Sequence, residues 1–166
     1  SLIPLDNRQA GPDFSIRYES RTYCSGRLHL PWHQIMLQKG DFRHQQPDAN
    51  TIVEAFANVD TKPRYVDYYT PEAWPNMFDI ISEGMFCQSG LTLIMAGTLH
   101  HLGLTNTPDL NFVAISNHIT GKDGLVLMDG GNCYNFLPGE VVSEQFAKEN
   151  SITLDEHIIQ PDKLFG

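Results

Sequence analysis

The sequence predicts an α+β fold in which a helical N-terminal half precedes a small antiparallel sheet. The apolar run at residues 91–99 has helical length and no polar face, as expected for a buried central helix. After it, residues 111–120 and 125–129 alternate in polarity and flank the turn-type sequence 120–124, which is typical of a β-hairpin. We therefore expect the helix to pack on the hairpin, with a cleft between them.

Length and composition indicate one domain and exclude some classes of function. A chain of 166 residues can bury a proper core, and we expect a single domain over 1–166, with an arm at 1–30 and a functional core at 50–130. The net charge of −9 and the absence of a basic cluster argue against binding of nucleic acid. No run reaches the ~18 apolar residues of a membrane span.

The three cysteines, Cys24, Cys87 and Cys133, leave at least one thiol unpaired within the chain. None has C-x-x-C spacing, so zinc-ribbon and thioredoxin-type sites are not expected. A Cys24–Cys133 disulfide beside a free Cys87 would fit the count. His100 and His101 have no chelating partner at suitable spacing in their helix, and we expect no metal and no cofactor.

Weaker patterns predict the elements of the N-terminal half. Residues 14–18 alternate as an edge strand or arm would, and 31–37 could form a short helix. Thr51 and Glu54 have capping-box spacing, which predicts a helix over 52–59. A further short helix is expected from Pro71 or Pro75, with an apolar face formed by Met77, Phe78, Ile80 and Ile81.

The central helix is predicted over 88–102, with Gly103 ending it. Gly90 and Gly97 within it suggest close approach to a sheet, because glycine otherwise costs a helix about 1 kcal/mol. Beyond the hairpin, turns are expected at 130–132 and 137–139. A short helix is expected over 140–148, and a C-terminal segment from Ile152 should pack at an edge.

Three residues could supply thiol chemistry. Cys87 precedes the central helix, where unpaired backbone N–H groups and the helix dipole favour a thiolate and could hold an oxyanion. His118 on the first strand could act as base, and Asp129 at the end of the second could orient the imidazole. This requires a hairpin that pairs His118 with Leu127 or Asp129, because a slip of one residue would separate them.

Each of these residues also has an ordinary explanation. A buried cysteine beside Phe86 is commonly a core residue, His118 could be a hydrogen-bonded structural histidine, and Asp129 before two glycines is by default a turn residue. The aromatic residues between Asp67 and Trp74 could line a substrate groove or pack in the core.

In this order the motifs resemble the bacterial transglutaminase-like cysteine peptidases, within the papain-like and transglutaminase-like superfamily. The resemblance covers roughly residues 50–130 and rests on Val66-Asp67-Tyr68-Tyr69-Thr70-Pro71, Glu83-Gly84-Met85-Phe86-Cys87, Leu102-Gly103, His118 and Leu127-Met128-Asp129. It implies a papain-like α+β fold with a Cys87–His118–Asp129 triad, acting on amide bonds of a protein or peptide substrate. It also implies a periplasmic or secreted location, in the manner of a bacterial effector.

The sequence departs from the family pattern around the cysteine. The family's cysteine usually lies in Asp-Cys-Glu-Asp, whose acids hold calcium in some members, whereas Cys87 is flanked by Phe86 and Gln88-Ser89. With this departure, the resemblance implies a metal-free enzyme: a cysteine peptidase, a glutamine deamidase or a transglutaminase. Gln88 or a hydroxyl of Tyr68 or Tyr69 could assist the oxyanion, with Trp74 in the groove. An inactive binding domain of the same fold is the alternative, and an N-acetyltransferase a third option.

Overall fold

The structure of the chain is a computed structural model that describes residues 48–57, 67–83 and 86–165. The predictions for residues 14–18 and 31–37, and for Cys24, lie outside the described residues.

Four α-helices and five strands make up the described part. The helices are α1 (Ala49–Ala55), α2 (Met77–Glu83), α3 (Gln88–His101) and α4 (Glu144–Glu149), with 3₁₀ turns at Pro71–Ala73 and Pro161–Phe165. The strands are β1 (Leu110–Asn117), β2 (Asp123–Asp129), β3 (Asn132–Leu137), β4 (Glu140–Ser143) and β5 (Ser151–Ile159). The strands form one antiparallel sheet in the order β4-β3-β2-β1-β5. The predicted α+β fold is confirmed.

The long helix α3 lies in the core because its sequence is apolar on all sides. Twelve of its fourteen residues are buried, and it packs along β2 and β3. It ends where predicted, with Gly103 at φ +73°, a left-handed conformation that glycine adopts without strain. The expectation that Gly97 allows close approach to the sheet is wrong. A Cβ at this position would lie 2.5 Å from the Met77 sulfur of α2, and the next residue that it would contact is Leu164. Gly97 thus allows close packing between helices, not against the sheet.

The first described helix begins three residues earlier than predicted. Asp48, not Thr51, is the N-cap of α1, and its carboxylate accepts hydrogen bonds from the Thr51 backbone N–H and hydroxyl, both at 2.9 Å. The capping-box interpretation of Thr51 is therefore wrong. An aspartate three residues before a threonine satisfies the orphan donors of the first turn equally well.

The sheet separates two apolar layers, as the alternation in the sequence predicts. Phe112 and Ala114 of β1 face the large core under α1, α2 and α3. Val113 and Ile115 face a smaller cluster on the opposite side, which Ala147 of α4 covers. The predicted apolar face of α2 is also buried.

Three details at the C-terminal end differ from expectation or extend it. The helix expected over 140–148 divides into strand β4 and helix α4, because β4 pairs with β3 and Ser143 caps the helix by accepting from the Phe146 N–H. The segment from Ile152 is edge strand β5, paired with β1. Cys133 of β3 is a free, buried thiol.

Candidate functional site

Cys87 stands at the N-terminus of α3, as the sequence predicts. It is the N-cap residue, and its sulfur accepts a hydrogen bond from the Gly90 N–H at 3.3 Å. The residue is only 1% exposed and belongs to the main apolar core. The sulfur therefore caps the helix from a position sealed against solvent.

Gln88, the next residue, fills a split in the sheet. Strands β2 and β3 pair only from Leu127 to Asp129, and their other ends diverge. The Gln88 carboxamide lies in the gap, where its Nε2 donates to the backbone oxygens of Leu125 at 2.8 Å and Asn135 at 3.2 Å. Its Oε1 accepts from the Leu125 N–H at 2.8 Å. Both ends of the carboxamide are thus occupied by strand backbone, which leaves no N–H of this amide directed at an oxyanion.

Two residues that the sequence did not single out complete this network. The Asn135 amide donates to the Gln88 backbone oxygen at 3.1 Å and to the Thr92 hydroxyl at 2.8 Å. The Thr92 hydroxyl lies 2.7 Å from the Leu125 oxygen and donates to it. The usable sequence signal was Thr92, a polar residue inside an otherwise apolar helix, which needs a buried partner. Gly124 leaves room for the carboxamide, since a Cβ there would lie 2.8 Å from Gln88 Oε1.

His118 lies in the turn after β1, not on the strand. It is exposed, and its backbone N–H donates to the Asn150 oxygen at 2.8 Å. The Asn117 carboxamide shapes the turn by accepting from the N–H groups of Ile119 and Thr120. This asparagine, which is 6% exposed, is the residue that ends the strand one position before His118.

Asp129 lies at the far end of β2, where it anchors a loop. It is 1% exposed, and its two carboxylate oxygens each accept from the Asn106 N–H at 2.9 Å. The Thr107 hydroxyl donates to the same carboxylate at 3.2 Å. Burial, and then the negative charge of Asp129, raise the pKa of the neighbouring Tyr134 hydroxyl. The carboxylate thus holds the connection between α3 and β1.

The hairpin register separates the two polar residues predicted to pair. Ser116 pairs with Asp123, and Leu127 pairs with Phe112, so the prediction that His118 lies opposite Leu127 or Asp129 is wrong. Since Asn111 lies opposite Met128, Asp129 lies beside the start of β1, roughly 25 Å along the strand from His118. The physical cause is the position of the turn, which begins at His118 instead of Thr120.

The direction of α3 separates Cys87 from Asp129 as well. The first turn of α3 contacts Leu125 near the start of β2, whereas the loop after α3 contacts Asp129 at its end. Helix and strand therefore run the same way, and a fourteen-residue helix is roughly 21 Å long. Cys87 and His118 lie at the same end of the sheet, and Asp129 lies at the other. A catalytic role for the three residues stays a prediction.

Of the aromatic residues named from the sequence, Tyr68 and Trp74 form part of the core wall, whereas Tyr69 is exposed. Tyr68 is 5% exposed, and its hydroxyl donates to the Asp123 oxygen at 3.1 Å. Trp74 packs edge-on against Phe112, with ring centroids 5.5 Å apart. Tyr69 is 54% exposed and contacts the edge of the Tyr68 ring.

A histidine on the edge strand joins this aromatic group and was not predicted. His157 Nε2 lies 2.7 Å from the Tyr68 backbone oxygen and 3.3 Å from a carboxylate oxygen of Asp155. Its ring also meets the Trp74 ring, with centroids 5.7 Å apart. The carbonyl and the carboxylate both favour a proton on Nε2, so His157 ties the Tyr68 segment to β5.

Within residues 48–57, 67–83 and 86–165, no three His, Cys, Asp or Glu side chains are grouped as a metal site would require. In the same part of the chain, no helix has the length and apolar character needed to cross a membrane.

A cavity of about 340 Å³ opens beside the split in the sheet. Its apolar wall includes Leu91 and Met95 of α3 and Phe136 of β3. The cavity is also lined by Lys122 and Asp123, two exposed residues next to the hairpin turn. Gln88 contributes to the wall, whereas Cys87 does not.

Comparison with known proteins identifies the fold. No protein-family model matches this sequence, and no curated protein sequence matches it either. Among solved structures, calcium-bound LapG from Legionella pneumophila superposes with a TM-score of 0.54 and 14% sequence identity, covering 91% of this chain and 79% of LapG. A second LapG structure gives a TM-score of 0.53 with the same identity and coverage.

LapG is a bacterial transglutaminase-like cysteine protease, the family that the sequence motifs resemble. At 14% identity, the similarity concerns the fold and not the chemistry. Helices packed on a five-stranded antiparallel sheet match the transglutaminase-like fold of LapG.

Proposed function

We propose that this chain uses a transglutaminase-like fold to bind a ligand, and not to transfer acyl groups. The observation that carries the proposal is the burial of Cys87, which is 1% exposed at the N-terminus of α3. A nucleophile must reach the carbonyl carbon that it attacks, and a sulfur sealed in the apolar core does not.

The arrangement around Cys87 supports the same proposal. The base and the orienting carboxylate of a triad must form a chain of hydrogen bonds with the nucleophile. Here His118 and Asp129 lie at opposite ends of the β1–β2 hairpin. Asp129 is already bonded to Asn106 and Thr107, and both roles of the Gln88 carboxamide are taken by strand backbone. Asp129 and Gln88 thus have structural tasks.

The reactivity of Cys87 tests the proposal. Native protein would be treated with iodoacetamide at a pH of about 6, where an ordinary thiol is protonated, and labelling of each cysteine followed by mass spectrometry. We expect Cys87 to label no faster than Cys133, a matched control that is also free and buried. Selective labelling of Cys87 would overturn the proposal.

A second measurement covers enzymes whose thiolate is shielded until substrate binds. Cleavage of an unstructured protein and release of ammonia from glutamine-containing peptides would be compared between the wild type and Cys87→Ala. We expect no difference between them. Activity in the wild type that Cys87→Ala abolishes would show acyl transfer and contradict a binding role.

Acyl transfer is the second candidate, because one observation favours it. Cys87 is the N-cap of a fourteen-residue helix, whose N–H groups and dipole stabilise negative charge on sulfur or on an oxyanion. This candidate is a metal-free peptidase, deamidase or transglutaminase acting on a protein or peptide, with Cys87 as nucleophile, His118 as base and Asp129 as orienter. It requires the hairpin and α3 to rearrange so that all three side chains meet.

His118→Ala and Asp129→Asn separate the two candidates. For a working triad, either change would lower activity and Cys87 labelling together, because the thiolate depends on its base. For a binding domain, Asp129→Asn would lower stability, whereas His118→Ala would change neither stability nor Cys87 labelling.

A further inference from the structure

We infer that the cavity beside the hairpin turn binds a free α-amino acid with an apolar side chain. The inference deepens the proposed binding function by naming the class of ligand. It rests on that function only because both require a ligand to be bound. It does not involve the Cys87 sulfur, which lies outside the cavity lining.

The size and wall of the cavity suit a small apolar group. Its volume of about 340 Å³ falls at the lower end of the ~300–1,000 Å³ usual for small-molecule sites. Leu91 and Met95 line one side and Val126 and Phe136 another, and all four side chains are buried. Burying an apolar side chain against such a wall is favourable by roughly 25 cal/mol per Å² of area removed from water.

Two adjacent charged residues at the hairpin turn suit the charged end of an amino acid. Lys122 and Asp123 both line the cavity, both are exposed, and neither forms an ion pair with the other described residues. Lys122 is one of three lysines in the described part of an acidic chain, which holds no arginine, and a second, Lys148, is paired with Glu144 at 3.6 Å. An unpaired ammonium beside an unpaired carboxylate complements a zwitterion.

The polar neighbours of these charges are already satisfied. The Asn117 amide donates to the Phe136 oxygen, and its oxygen accepts from two backbone N–H groups of the turn. The Gln88 carboxamide is held by strand backbone at both ends. The charges on Lys122 and Asp123 are therefore the groups left to recognise the ligand's carboxylate and ammonium, while its side chain enters the apolar part.

Three related molecules resolve the recognition into its parts. L-Phenylalanine, 3-phenylpropanoate and 2-phenylethylamine share one ring but carry both charges, only the carboxylate and only the ammonium, respectively. We expect saturable binding of phenylalanine, with each singly charged analogue about two- to fivefold weaker, as the loss of one exposed ion pair predicts. Glycine, which has both charges and no side chain, should bind at least about tenfold more weakly than phenylalanine.

Charge variants test which residue meets which group. Lys122→Gln should weaken phenylalanine and 3-phenylpropanoate about two- to fivefold and leave 2-phenylethylamine unchanged. Asp123→Asn should weaken phenylalanine and 2-phenylethylamine and leave 3-phenylpropanoate unchanged. Lys148→Gln and Asp109→Asn, which change exposed charges outside the cavity, are the matched controls and should change nothing.

The location is read by NMR with ¹³C-methyl methionine. Phenylalanine should shift the Met95 methyl resonance and give ring-to-methyl contacts, while Met77, which is buried under α3 and does not line the cavity, should not respond. Absence of saturable binding, or binding unaffected by both Lys122→Gln and Asp123→Asn, would overturn the inference. Phenylalanine binding together with a selectively reactive Cys87 would overturn the proposed function and leave this inference standing.

Discussion

Gln88 offers the sharpest test of how the sheet is held together next to the candidate site. Replacing Gln88 with alanine removes the carboxamide that fills the split between β2 and β3. Three hydrogen bonds are lost: two to Leu125, at 2.8 Å each, and one to the Asn135 oxygen, at 3.2 Å. The Leu125 oxygen keeps the Thr92 hydroxyl as a donor, so the groups left unpaired are the Leu125 N–H and the Asn135 oxygen.

The expected loss follows from those two groups. A buried donor or acceptor left without a partner costs about 1–3 kcal/mol, and Leu125 is fully buried. The better helix propensity of alanine offsets only a few tenths of a kcal/mol. We therefore expect Gln88→Ala to lower the free energy of unfolding by about 2–4 kcal/mol, which corresponds to a fall in melting temperature of roughly 4–16 °C for a chain of this size.

Urea unfolding followed by circular dichroism measures this change. Gln145→Ala is the matched control, since Gln145 is an exposed helical glutamine whose Nε2 lies 3.3 Å from Glu149. It should change the free energy of unfolding by less than about 0.5 kcal/mol. A loss for Gln88→Ala no larger than that of Gln145→Ala would refute the argument that the carboxamide substitutes for strand pairing.

Two further predictions concern groups that the sequence assigned to chemistry or left open. Asp129→Ala should lower the free energy of unfolding by about 2–3 kcal/mol in the same assay, because the Asn106 N–H loses a buried, charged acceptor. Asp109→Ala, which changes an exposed carboxylate, should be near neutral, and equal effects of the two changes would contradict the anchoring role of Asp129. Burial, and then the charge of Glu144, raise the pKa of the Cys133 thiol from 9.0 to about 12. The unfolded thiol ionises first, so wild-type stability should fall as pH rises from about 9 towards about 12, and Cys133→Ala should show a shallower fall; identical pH profiles would contradict this.

The sequence predicted the elements whose signals are local. The apolar run before Gly103 specified α3, and the alternation after residue 110 specified β1 with its two faces, because burial on one or both sides constrains each position of a helix or strand. The placement of Cys87 at a helix start was equally readable, since a turn before an apolar helix fixes its N-terminus.

The prediction that depended on the exact register of the hairpin was wrong. The turn at His118 is set by Asn117, whose carboxamide accepts from two backbone N–H groups and donates to Phe136 across the sheet. The last of these contacts joins residues nineteen positions apart and has no signature in local sequence. Moving the start of the turn was enough to put His118 and Asp129 at opposite ends of the hairpin.

The sequence by itself determined the α+β class, the central helix and the cysteine at its start, because apolar periodicity and turn residues act over neighbouring positions. Only the tertiary structure decided what the polar residues do. It directed the Gln88 carboxamide into the split sheet, bound Asp129 to a loop amide and sealed Cys87 in the core. Those outcomes depend on which distant backbone groups lack partners, and that is settled only when helix and strands pack together.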